Sequence, residues 1–216
     1  MAEVNELLKR IDAEFASSKE KIKAFQAQKV EEHTGREQRL EKFSALLDDL
    51  VGVWRPRLEA LRDKFGDRAQ VTPTVTPSRR NALFHMGTDL ARIDLRLSVC
   101  TDEDVRRAIF SYDLNILPIL MEFESHSEIA FPLDAVDREA LGKWLDDRIV
   151  GFVRTYLSLH ENEFYLKGHM VEDPVAKIQF PKYAAGATLV RSGKTLYFID
   201  ETMRDEFVSR EPSGKA

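Results

Sequence analysis

A single cysteine, Cys100, occurs in 216 residues, so an intramolecular disulfide is excluded and one thiol is left free. Such sparing use of cysteine suits a soluble protein of a reducing cytoplasm, and that is the expected setting. Long apolar runs are missing too: none approaches the ~20 residues that a membrane-spanning helix needs. The first residues, from Met1 to Phe15, alternate acidic, basic and apolar side chains where a secretory leader would carry an unbroken apolar stretch. Positive charge is not in excess, with 32 Lys and Arg against 37 Asp and Glu, and there is no Lys/Arg block. With a net charge of -5, neither nucleic acid nor an anionic membrane is an expected partner.

What is present is a globular composition, 43% hydrophobic and 32% charged, on a chain long enough to bury a real core. The first 66 residues read as a helical arm. Val4, Leu8, Ile11, Phe15, Ser18, Ile22 and Phe25 alternate at spacings of four and three, which is the seam of a coiled coil. The seam fades at Lys29, Glu32 and Arg36, near Gly35, then resumes through Leu40, Phe43, Leu47, Leu50, Trp54, Leu58, Leu61 and Phe65. Two apolar stretches around a polar break suggest an antiparallel helical hairpin packed within the chain, with one long coiled-coil-like arm as the alternative. Pro56 should kink the second helix or start a new one, because it removes a backbone donor.

Residues 71–80 change character. Pro73 and Pro77 among β-branched residues fit an extended connector or an edge strand. Beyond them the period becomes two. Ile93, Leu95, Leu97 and Val99 alternate with Arg92, Asp94, Arg96 and Ser98, as a half-buried strand requires. Ala108, Phe110, Tyr112 and Leu114 repeat the pattern, followed by Ile119, Met121 and Phe123, then Ile129, Phe131 and Leu133. Short polar connections leave no room for crossover helices, so the sheet should be antiparallel. Asp134 is the expected N-cap of a helix whose apolar stripe is Leu141, Leu145, Ile149, Phe152, Tyr156 and Leu159. A one-faced sheet and a one-striped helix must cover each other. The expected class is α+β, with this layer spanning residues 70–160.

The tail carries Asp173-Pro174-Val175, then Phe180-Pro181, the small residues from Ala184 to Thr188, and Gly193-Lys194-Thr195-Leu196-Tyr197-Phe198, with Phe207 in a short closing helix. In order and spacing this stretch, within residues 168–210, resembles the YHS domain family, small modules related to treble-clef-like metal binders. The resemblance implies a cysteine after Asp-Pro-Val and two more after Tyr-Phe. Here those positions hold Ala176, Ile199 and Met203, and a metal site would need thiolates there. The tail should therefore be a structural cap or interaction surface without a metal. A module this small needs a staple or a neighbour, so it should dock on the body through residues 161–170.

Other motifs dissolve on inspection. Ser192-Gly193-Lys194-Thr195 ends like a phosphate-binding loop, but Thr188 stands where the first glycine belongs and strand residues follow; a hairpin turn explains it. His160-Glu161 begins a zinc-protease motif whose second histidine is Phe164. Cys100 precedes Thr101-Asp102-Glu103-Asp104, and acidic neighbours raise a thiol pKa, so it reads as structural. The five histidines show no ligand spacing. His85, with Arg92 and Arg96 across a strand pair, could form a polar or anion-binding patch, though cross-strand pairs to Asp94 are the plainer account. The acidic pairs Asp48-Asp49, Asp146-Asp147 and Glu122/Glu124 mark wet faces of amphipathic elements, so no catalytic residue, cofactor or metal ligand is assigned.

The expected function is therefore a non-enzymatic module that binds another protein or itself, through the arm and the open sheet face. A small-ligand binder or enzyme with a pocket between sheet and helix is the alternative from another class. Metal handling by the tail is a third reading, against which the missing thiolates count.

Overall fold

The computed structural model describes residues 2–210. Its α+β architecture runs α1 (Ala2–Asp49), α2 (Val51–Phe65), β1 (Ala69–Thr76), β2 (Arg79–Gly87), β3 (Arg92–Thr101), β4 (Arg107–Leu117), β5 (His126–Pro132), α3 (Arg138–Leu159), α4 (Glu163–Leu166), β6 (Met170–Glu172), β7 (Gln179–Pro181), β8 (Ala187–Arg191), β9 (Lys194–Phe198) and α5 (Glu201–Arg210). Among the described residues no helix is long and apolar enough to cross a membrane.

Strands β1 to β5 form an antiparallel meander in sequence order. Period-two alternation puts Ala82, Phe84, Met86, Ile93, Leu95, Leu97, Ala108, Phe110, Tyr112 and Ile116 on one buried face. The end of α1, α2 and α3 close over that face. Phe43, Leu47 and Leu50 meet Val99, Phe110 and Leu141 in one cluster; Leu61, Phe152, Tyr156 and Leu159 meet Phe84, Ile93 and Leu95 in a second. Arg57 clamps α2 to α3 by a bidentate bond to Asp146, at 2.8 and 3.0 Å. The two prolines of β1 are tolerated because β1 is an edge strand.

Four local expectations are revised. The helix does not break at Gly35: α1 runs on to Asp49 and the chain turns at Leu50. The polar stretch stays helical because side chains pair along it, Lys29 with Glu32 at 2.6 Å and His33 with Glu37 at 3.5 Å, which offsets the glycine. Pro56 sits inside α2 without starting a new helix; Gly52, whose carbonyl loses its donor, is exposed to water. The N-cap of α3 is Asp137, not Asp134, its carboxylate accepting from the N–H groups of Glu139 and Ala140 at 3.0 and 2.9 Å. Ile119, Met121 and Phe123 are not a strand. They lie on an irregular segment before β5, where Met121 and Phe123 pack onto the core and Ile119 is exposed.

The largest correction concerns the arm. Every residue from Val4 to Thr34 is exposed, so no described element of the chain covers the seam expected to pack within it. At its base the arm is fixed. Arg39 Nε donates to the Asp104 carbonyl at 2.9 Å. Val105 in the same β3–β4 turn adopts φ 56° and buries its side chain beside Phe43 and Leu47. A β-branched residue in that region costs ~1–3 kcal/mol, offset here by its apolar burial. Residues before Arg39 therefore project clear of the body, a rod of about 55 Å at 1.5 Å rise per residue.

Candidate functional site

Four places carry enough chemistry or geometry to be weighed: the open sheet face, the space beneath the helices, the tail and the arm.

On the open face, His85 Nδ1 lies 2.5 Å from Asp94 Oδ1, and Arg92 Nη2 donates to Asp94 Oδ2 at 3.1 Å. The register that places His85 opposite Asp94 brings this about. The bond from His85, against a smaller opposing effect of burial and with help from Arg92, holds the Asp94 carboxyl below the ordinary carboxylate range. Both basic side chains are thus already engaged by one carboxylate. Arg96 stands one row away, in register with Leu83 and Asp113, and does not join them. Asp113 instead takes His126 Nδ1 at 2.7 Å, and Ser98 bonds Ser111 at 2.7 Å. The face is a lattice of cross-strand pairs. His85, Arg92 and Arg96 do not converge on an empty anion site.

Each acidic pair that stood out in the sequence contributes at least one strut. Asp48 takes Arg80 at 2.9 Å, Asp146 takes Arg57, Asp49 takes Arg138, and Glu124 takes Arg148. Each arginine lies outside the segment that carries its acid, so these pairs link helices, sheet and the irregular segment before β5. Tyr112 is buried, and burial together with the nearby Glu124 charge, partly opposed by Arg148, pushes its phenol up to about 12. A phenol held so far from neutrality does not serve as a base near pH 7.

Between sheet and helices the packing is incomplete. A cavity of about 120 Å³ is lined by Trp54, Leu58 and Trp144 from the helices and by Pro73, Leu97 and Phe110, among others, from the sheet. These are the chain's two tryptophans. The walls are apolar, a surface that suits an apolar guest better than a reaction. Trp144 escaped the sequence reading because it lies beside, not on, the main stripe of α3. Its signal was proximity to Leu145 on a helix already expected to face the sheet.

The tail is held by one acid. Asp173 is fully buried. Its Oδ1 accepts from the N–H groups of Val175 and Ala176 at 2.7 and 3.0 Å, and its Oδ2 accepts from Ile199 N–H at 2.9 Å. Burial pushes this carboxyl up, but the three N–H donors and the Lys177 charge outweigh it and hold the pKa below 3.8. Asp173 thereby ties the turn at Ala176 to the end of β9, the two places that the sequence marked as lacking thiols. Ser192 and Gly193 turn β8 into β9 with φ 46° and 76°, the hairpin geometry that replaces a phosphate loop. Docking on the body runs through aromatic residues. Tyr183 Oη donates to the His160 carbonyl at 2.7 Å with its ring edge-on to the imidazole, while Tyr165 Oη donates to the Pro118 carbonyl at 2.6 Å.

The arm presents Val4, Leu8, Ile11, Phe15, Ile22 and Phe25, between 40% and 73% exposed, in one line. Comparison with protein-family models, curated proteins and solved structures finds no match to this chain.

Proposed function

We propose that this protein is a non-enzymatic association module acting in the cytoplasm, with the arm as its docking element and the sheet body as its anchor. One observation carries the reading: a three-and-four-spaced apolar seam stands in water on a helix whose base is rigidly fixed. Single exposed apolar residues are ordinary, but a continuous line of them on a projecting rod calls for a partner. A three-and-four spacing suits a helix as that partner. The tail fits the reading as a YHS-like cap in which the buried Asp173 carboxylate stands in for a metal as the staple.

The test is Ile11→Glu combined with Ile22→Glu. Both side chains are exposed, so the melting temperature of the body should stay put, while higher-mass species on a sizing column with light scattering, or co-purifying proteins, should disappear. An assembly that the double variant leaves intact would overturn the reading.

The cavity favours a second reading, a carrier of small apolar molecules. Toluene should then shift the emission of Trp54 and Trp144, and Ala82→Leu, which fills the space, should abolish the shift. Unaltered emission on titration would remove this reading.

A further inference from the structure

We propose that the occupant of the seam is a second copy of this chain, its arm lying antiparallel about a two-fold axis between Ala16 and Ser17; this rests on the association reading above. The period of the seam is the first reason. Apolar residues every 3.5 positions face a second helix without drift as the pair supercoils, along a rod that has no sheet beside it.

Side-chain size sets the register. A shallow open recess along the arm is bordered by Leu7, Arg10, Ile11, Glu14, Phe15 and Ser18, with the Phe15 ring as its aromatic wall. With the axis between Ala16 and Ser17, Ser18 of the second copy enters it and lies across from Phe15, a small residue against a large one. The same register sets Ile11 against Ile22 and Leu8 against Phe25. In a parallel pair each layer meets itself, so Phe15 would crowd Phe15 and Ser18 would leave a gap.

Charge points the same way. Residues flanking an antiparallel seam meet their own kind of position on the other helix. Here Glu14 reaches Lys21 and Asp12 reaches Lys19, and the two-fold repeats both pairs. A parallel pair offers only Glu14 with Lys19. It would also stack Lys29 on Lys29, Glu32 on Glu32 and Arg36 on Arg36 along the seam, where like charges repel. The antiparallel register sets Lys29 against Val4 at the end of the shared stretch and leaves Glu32 and Arg36 beyond the seam, so none of the three meets its own copy.

Finally, the bodies begin near Leu40, so an antiparallel pair holds each about 35 Å from the axis by the helical rise. The shared stretch, Val4 to Lys29, is between three and four heptads, the short end for a stable pair. Dimerisation should therefore depend on concentration.

Sedimentation equilibrium of the full chain should give two copies in the tens-of-micromolar range. Glu14→Lys should weaken the dimer on the order of tenfold, by turning two attractive pairs repulsive. Adding Lys21→Glu should restore it, which a parallel pair would not allow. Nitroxide labels at Ala13→Cys and Ala27→Cys, in a Cys100→Ser background, should lie ~25 Å and ~40 Å from their counterparts, since antiparallel sites separate with distance from the axis. Equal distances at both sites would mean a parallel pair and overturn the proposal. A monomer at every concentration would overturn it too, yet leave docking of a different helix standing. A dimer that survives Ile11→Glu with Ile22→Glu would instead defeat the association reading itself.

Discussion

The same seam meets two fates along one helix. In the last turns of α1, Phe43 and Leu47 are 0% and 1% exposed, while in its first half Phe15 and Ile22 are 73% and 55% exposed. Residue type and spacing are alike in the two regions. What differs is what stands opposite. The C-terminal part faces a sheet with a ready apolar face and the Val105 turn, whereas the N-terminal part has run past the edge of the body. Helical amphipathicity thus signals that a surface will be covered, without saying by what.

The sharpest way to break that contrast is a matched pair of truncations. Phe43→Ala should cost ~3–5 kcal/mol of body stability, the usual range for emptying a core phenylalanine. Phe15→Ala, at concentrations where the protein is monomeric, should stay within ~0.5 kcal/mol. Denaturant midpoints of the two variants check both, and equal losses would mean that the arm packs on the body after all.

A second test separates body from tail. A Cβ on Gly186 would lie 2.4 Å from the Ile199 carbonyl oxygen, a backbone atom that has no room to move while Gly186 N–H bonds Phe198 and Ile199. Gly186→Ala should disrupt the tail, by ~1–3 kcal/mol as overpacking commonly does. Tail amide signals should collapse while those of β3 and β4 persist. Simultaneous loss of both would show that the body leans on the tail.

The smallest expected effect is a pH response confined to the tail. The Asp173 pKa is lowered by folding, so its stabilisation is fully present above its unfolded value of 3.8 and is lost as the pH falls through the lower folded value. The amides of Val175, Ala176 and Ile199 should lose protection together under acid. Asp173→Asn, which turns one acceptor into a donor facing Ile199 N–H, should weaken the tail at neutral pH and erase the acid step. Retention of that step in the variant would assign it to another group.

Legibility in the sequence followed the range of the interactions. Alternation in Ile93, Leu95, Leu97 and Val99 reflects a local period, and each of those side chains is in the core. The stripe of α3 was readable for the same reason, with Leu141, Leu145, Phe152, Tyr156 and Leu159 all buried. Met121 and Phe123 also alternate, yet they reach the core from irregular backbone, because two apolar side chains can be buried without a ladder of hydrogen bonds. The choice of Asp137 over Asp134 as cap was unreadable, since both acids precede the helix at similar remove.

What the chain's sequence determined by itself was the inventory: a helical arm with a heptad seam, an antiparallel sheet with one apolar face, a helix to cover it, and a tail without thiols. Those follow from local periodicity and side-chain chemistry, which need no knowledge of distant residues. Only the tertiary structure decided that α1 turns at Leu50 rather than near Gly35, because the turn sits where Leu50 and Phe43 can be buried together. It alone placed Trp54 across a cavity from β1 and brought Asp173 to the Ile199 N–H, 26 residues away. And it alone left the first half of the seam bare, since burial depends on which surfaces lie within reach of a rod that the body is too small to span.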